Sequence, residues 1–259
     1  MRSYMHTSNI DVRVARLLPV ASVLLALVLM LGAARSATAQ SAGMPSAAAE
    51  EEEEVPHPFF THMGLPEGVG VYSLRILGIA PRVDGQNKGD FAFHFETGIT
   101  QRLGLHIRND RFRNNDRTEA MFQFAAFVSK DGMTGFAPLI EFEIPTRSGV
   151  SRINSLVGFT TSTGSSRWAF NQVVHYDPRE DMVDGSVALV VKAGRYVSPV
   201  VEFLGEGGVG QTSAINMLAG IKVRVREGIL LGIAYQIPIT ERKEFTRQLA
   251  FGPDFGWKR

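Results

Sequence analysis

Six histidines and no cysteine bound the chemistry open to this 259-residue chain. The segment His57-Pro58-Phe59-Phe60-Thr61-His62-Met63-Gly64 gathers two imidazoles and a thioether just after the acidic run Glu50 to Glu54. Imidazole and thioether donors are soft enough for copper, so His57, His62 and Met63 read as a metal-capture patch. Pro58 breaks regular spacing and no closed ligand set is visible, which leaves a competing reading: an aromatic-rich plug or rim segment with incidental histidines.

His94, Glu96 and His106 form a second group. They flank Thr100-Gln101, and an antiparallel hairpin turning there would set them in neighbouring rows. Such a row could be an acid–base or metal cluster; it could equally pair internally, with Arg102 and Arg108, to satisfy an interior. Nucleophilic catalysis finds little support. No G-x-S-x-G occurs, and His175 in His175-Tyr176-Asp177 stands at an expected loop edge without a partner nucleophile. An outer-membrane hydrolase is the enzyme alternative, but the chain reads as a non-enzyme with no cofactor. Gly205-Glu206-Gly207-Gly208-Val209-Gly210 lacks the Lys-Ser/Thr of a phosphate loop and reads as a flexible loop. In Asp110 to Arg117 the arginines at 111, 113 and 117 could meet lipopolysaccharide phosphates or steer anions, against the plainer reading of a solvated loop with acidic neighbours.

The elements that must position these groups begin with export. Arg2, Arg13 and Arg16 precede an apolar run from Leu17 to Ala34, and Ala37-Thr38-Ala39 has the form a signal peptidase reads. Cleavage is expected after Ala39, with an uncleaved anchor as the alternative. Residues 1–39 carry Arg2, Arg13, Arg16 and Arg35 against Asp11, so their removal takes a net +3 from the chain's +1 and leaves about −2, which excludes a basic nucleic-acid binder. Residues 40–67 are rich in Ala, Ser, Pro and Glu at their start and read as a disordered acidic periplasmic tail ending in the His/Met/Phe segment.

From Gly68 onward the hydrophobic period is two. Phe91, Phe93, Phe95 and Ile99 share one face, opposite Ala92, His94, Glu96 and Gly98. Ile215, Met217, Ala219, Ile221, Val223 and Val225 share another, with Leu218 the exception on the opposite parity. Turn residues divide residues 68–259 into about twelve strands of roughly ten residues, with short and long connections alternating. This predicts an all-β fold: a closed antiparallel transmembrane β-barrel. In lipid an open sheet edge would leave backbone groups unpaired, so closure is required.

The opposite parity is ionic or small: His94, Glu96, Arg102, His106, Arg108, Glu141, Glu143, Lys192, Glu202, Lys222, Arg224 and Gln236 are the predicted lumen lining. A soluble periplasmic barrel would reverse this arrangement and hide the apolar face. Phe251, Phe255 and Trp257 on one parity suit an interface belt and an assembly signal, although the chain finishes Trp257-Lys258-Arg259.

Glu96-Thr97-Gly98-Ile99-Thr100-Gln101-Arg102-Leu103-Gly104-Leu105 and Gly232-Ile233-Ala234-Tyr235-Gln236-Ile237-Pro238-Ile239-Thr240, with Arg242, Glu244 and Phe245, resemble the outer-membrane transporter-like family labelled after the MetA pathway of phenol degradation. The resemblance implies a channel for small solutes, hydrophobic ones among them, and carries no catalytic residue. The expected location is the outer membrane; the expected partners are its lipid and lipopolysaccharide, the barrel-assembly machinery and a small-molecule solute. A structural or metal-binding barrel with a filled lumen is the alternative function.

Overall fold

The computed structural model describes residues 55–112, 117–146, 152–208 and 211–259. The expected signal peptide, the cleavage site after Ala39, the Glu50 to Glu54 run, Arg113, Val209 and Gly210 lie outside the described residues.

The described strands are β1 (Val71–Val83), β2 (Gln86–Asn87), β3 (Asp90–Gly98), β4 (Leu103–Asn109), β5 (Arg117–Phe124), β6 (Phe127–Val128), β7 (Gly135–Pro145), β8 (Asn154–Ser165), β9 (Trp168–Asp177), β10 (Met182–Val191), β11 (Val197–Gly208), β12 (Ala214–Arg226), β13 (Ile229–Pro238) and β14 (Arg247–Lys258). Two of these, β2 and β6, are two-residue pieces; the other twelve form one antiparallel sheet in chain order. The sheet closes on itself, because β1 pairs with β14 from Val71↔Lys258 to Arg82↔Arg247. Closure leaves no edge, so the ladder satisfies the backbone around the full circumference.

Alternation decides which side faces out. Ile76, Phe122, Ile140, Ile221, Ile233 and Phe251 are exposed, whereas Arg75, Glu96, His106, Glu141, Glu202 and Lys222 are at most 2% exposed. A soluble barrel would bury the first group and wet the second. An exterior this apolar belongs in hydrocarbon, and the fold is a transmembrane β-barrel. Tyr72, Phe95 and Trp257 stack at the rim where the chain enters and leaves the sheet, at centroid separations of 6.4 and 5.6 Å.

That rim carries mostly tight connections: Ser166-Arg167 and Glu227-Gly228 are two residues each. At the far rim the connections are longer, with residues 239–246 between β13 and β14. One connection at the first rim is not tight. Lys130 to Met133 is the tip of a longer excursion from Ala125 to Thr134, which contains β6. Gln123 faces Leu139 while Phe127 faces Phe136, so four steps of one strand span three of its partner. This is a one-residue bulge, a shift that period-two patterning cannot register.

Three further expectations need correction. Gly205 to Gly208 are not loop but the end of β11, paired with β10 through Gly208↔Met182. His175 is not at a loop edge but inside β9, buried and pointing inward. Residues 55–67, expected to end a disordered periplasmic tail, lie within the barrel, in keeping with the plug reading of His57 to Gly64: Phe59, Phe60, Thr61 and His62 are all buried there. Phe59 and Phe60 form an apolar cluster with inward-facing Leu77, Ile79, Ala92, Val190, Val200 and Leu218. Leu218, the residue that broke the alternation of β12, faces inward because it packs against this inserted segment.

Candidate functional site

The inserted segment is seated by groups that no strand ladder can use. Glu202, projecting inward from β11, accepts the backbone N–H of Phe59, of Phe60 at 3.0 Å and of Thr61 at 2.8 Å, and the Thr61 hydroxyl at 2.9 Å. Successive amides converging on a carboxylate form an anion cradle, and each such bond is charge-assisted. The opposite polarity is met as well. Arg75 donates to the Phe59 carbonyl at 2.8 Å and Lys222 to the Pro58 carbonyl at 3.0 Å. Further along, Gln123 donates to the Met63 carbonyl at 3.1 Å, Thr160 to the Gly64 carbonyl at 2.9 Å, and the Gly64 amide donates to Asn171 at 3.0 Å.

Shape follows the same plan. The Phe59 ring lies in a notch left by Gly220 and Gly232, where a Cβ would stand 2.7 and 2.6 Å from ring carbons. Lys222 Nζ sits 4.7 Å from the centroid of that ring and is also paired with Asp254. Farther along the segment, Leu65 lies where a side chain on Gly135 would be. The wall is therefore cut to the segment.

Around His62 the inward charges converge. Glu96 and His106 are directly opposed across β3 and β4, as the hairpin reading required, with Glu96 Oε2 3.6 Å from His106 Nδ1. On the other side His175 Nε2 lies 3.7 Å from Glu141 Oε2. The His62 ring packs edge-on against both imidazoles, 5.3 Å from His106 and 6.0 Å from His175 by centroid. Burial, and after it the charge of Arg108, hold His62 well below its ordinary pKa, so its ring is neutral.

His57 behaves differently. Burial opposes its charge, but Glu96 and Glu67 outweigh this and push it up to about 10. It lies 2.8 Å from Glu67 and 3.3 Å from Glu96. The metal patch expected of His57, His62 and Met63 is thus divided: His57 is engaged by Glu67, Glu96 and Arg75, and Met63 Sδ turns to Asn171 Nδ2 at 3.9 Å. Only His62 enters the histidine cluster.

Above this level a cavity of about 510 Å³ opens at the long-loop rim, with His62, Glu141, His175 and Phe60 among its lining. Arg108, Glu119, Asp184, Glu206 and Lys243 add charges of both signs.

No family model and no curated protein matches the chain. Solved structures similar to it include OmpF of Salmonella typhi in complex with daunomycin, at 8% identity over 72% of this chain and 97% of that one, TM-score 0.39. OmpT of Vibrio cholerae is similar at 8% identity over 72% and 98% of the two chains, TM-score 0.35. Ail of Yersinia pestis is similar at 8% identity over 74% and 99%, TM-score 0.23. The barrel assignment rests on the closed ladder and its apolar exterior rather than on these likenesses.

Of the predicted lining, His94, Glu96, His106, Glu141, Glu202, Lys222 and Gln236 are buried inward. Arg108 and Glu143 face the cavity, and Arg224 lies half-buried on the inward parity near the end of β12. Two expectations are corrected: Arg102 is exposed in the turn before β4, and Lys192 sits in the turn after β10, because both strands end short of them. The arginine loop also divides. Arg117 belongs to β5 and binds Glu143 at 3.1 Å, and Arg111 binds Glu244 at 2.7 Å. Arg75, Gln123, Asn171 and His175 were missed, although each lies on the inward parity of its strand. For His175 the signal was present: Ala169, Asn171 and Val173 precede it at every second position.

Proposed function

We propose that this protein is an outer-membrane β-barrel whose lumen is closed by its own N-terminal segment, so that a solute crosses only when that segment shifts. The observation that carries this reading is the seating of Phe59 to Thr61 on Glu202, with the Phe59 ring filling the Gly220/Gly232 notch. A freely open pore is disfavoured by the buried segment, and the filled-lumen alternative is favoured. The resemblance to the MetA-pathway family supports small solutes as the traffic. The mixed polar and apolar cavity at the loop rim supports their capture from that side. The exterior supports residence in lipid, with the assembly machinery and lipopolysaccharide as the partners such a barrel meets.

Planar-bilayer recording tests the closure. The intact barrel is expected to conduct little, and Glu202→Gln, which leaves amide donors of the segment without their carboxylate, is expected to give discrete current steps. Large steps from the intact protein, unchanged in Glu202→Gln, would overturn the reading.

A further inference from the structure

We propose that His62, Glu141 and His175 form a three-donor binding site for one divalent transition cation of the zinc type, which ties the inserted segment to the barrel wall.

The argument begins with which atoms are left over. Among the described residues, His62 Nε2, His106 Nδ1, His175 Nε2, Glu96 Oε2 and Glu141 Oε2 are buried side-chain atoms without a hydrogen-bond partner. Buried polar atoms are normally satisfied, so five in one place require a reason. They fall into two groups: the donor atoms of His62, Glu96 and His106 lie within 4.8 Å of one another, as do those of His62, Glu141 and His175, with His62 common to both. Two donors each about 2.1 Å from one ion stand roughly 3.4 Å apart at a tetrahedral angle. The pairs at 3.6 and 3.7 Å are close to that spacing and too long for the hydrogen bonds that would otherwise explain them.

The outer contacts point the same way. His175 Nδ1 lies 2.9 Å from Asp184, and a carboxylate only accepts, so Nδ1 carries the proton and Nε2 presents its lone pair inward. His106 Nε2 lies 3.1 Å from Gln123 Oε1. The Gln123 amide is oriented by donating Nε2–H to the Met63 carbonyl and to Thr160, which leaves Oε1 to accept from His106 and frees His106 Nδ1 toward the cluster. Ligating histidines are held in this manner, far nitrogen to an acceptor and near nitrogen to the ion. Arg75 occupies the other oxygen of Glu96 at 3.2 Å and His57 Nδ1 stands 3.3 Å from Oε2, so Glu96 is already engaged and the Glu141 side is left for the ion.

Two imidazoles and a carboxylate oxygen without thiolate select Zn²⁺, Co²⁺, Ni²⁺ or Cu²⁺ over the hard ions Ca²⁺ and Mg²⁺. His62, Glu141 and His175 line the loop-side cavity, which gives the ion its access route. The proposal shares with the reading above only the seating of His62, and it is tested by metal uptake rather than conductance, so either can fail alone.

The full barrel in detergent, stripped with chelator and verified as folded by its heat-modifiable gel mobility, is titrated with Co²⁺ and Zn²⁺. One ion per chain is expected, with Co²⁺ giving the intense visible bands of four- or five-coordination. His62→Gln, Glu141→Gln and His175→Gln should each weaken uptake at least roughly 100-fold, since losing even an outer-shell partner costs up to that. His94→Gln, outside the set, should not. Absorption fine structure of the zinc-loaded intact protein, which needs no variant, should show imidazole scattering from two rings. The absence of stoichiometric uptake, undiminished uptake in His62→Gln, or an all-oxygen shell would each overturn the proposal.

Discussion

The ring of Phe59 occupies the space that a side chain at Gly232 would need: a Cβ there would lie 2.6 Å from Phe59 Cε1. The inserted segment and the wall strand β13 are therefore mutually shaped. Gly232→Ala should destabilise the barrel by about 1–3 kcal/mol, the usual range for overpacking. In a Phe59→Ala background the same change should have little effect. Urea unfolding in lipid vesicles, followed through tryptophan fluorescence, measures both, and equal effects in the two backgrounds would mean that the ring does not rest there.

Lys222 is fully buried, paired with Asp254, bonded to the Pro58 carbonyl and placed over Phe59. Lys222→Met strands the Asp254 charge and should cost about 3–5 kcal/mol. Lys222→Met with Asp254→Leu removes both charges and should recover a large part of this. The cycle is read by the same unfolding measurement, and a double variant as unstable as the single would show that the segment contacts of Lys222 matter more than its ion pair.

Ile233, central in β13 and half exposed on the outer face, meets lipid. Ile233→Arg should lower the folding free energy into bilayers by about 2–4 kcal/mol, as a cation at mid-membrane does. Ala234→Arg, on the adjacent inward position, should instead fail by colliding with the buried cluster around Phe59 and Leu218. An Ile233→Arg protein as stable as its parent would place that face in water.

The barrel was legible in the sequence because lipid imposes a one-letter code on alternate positions. Phe93, Ile221 and Ile233 face out and Glu96 and Lys222 face in, as period two required. What period two cannot carry is anything arriving from outside the sheet. Phe59, Phe60 and His62 sit in a stretch whose neighbours are acidic and small, and nothing in their own spacing says that Glu202, more than 140 positions away, holds their amides. For the same reason Leu218 read as an error in a pattern when it marks where the segment packs, and His175 read as a loop residue because its partners Asp184, Glu141 and His62 come from other elements. The pair Glu96 and His106 was legible because a single hairpin brings them together.

Cysteine accessibility tests the central claim, that the N-terminal segment fills the lumen. The chain has no native cysteine, so Thr61→Cys and Val69→Cys each give one thiol. Thr61 is 0% exposed on the seated segment and Val69 is 54% exposed at the rim. In the folded, membrane-inserted protein a water-soluble maleimide should label position 69 rapidly and leave position 61 unreacted until the barrel is denatured. Labelling of position 61 as fast as position 69, in protein that keeps its compact gel mobility, would put the segment outside the lumen.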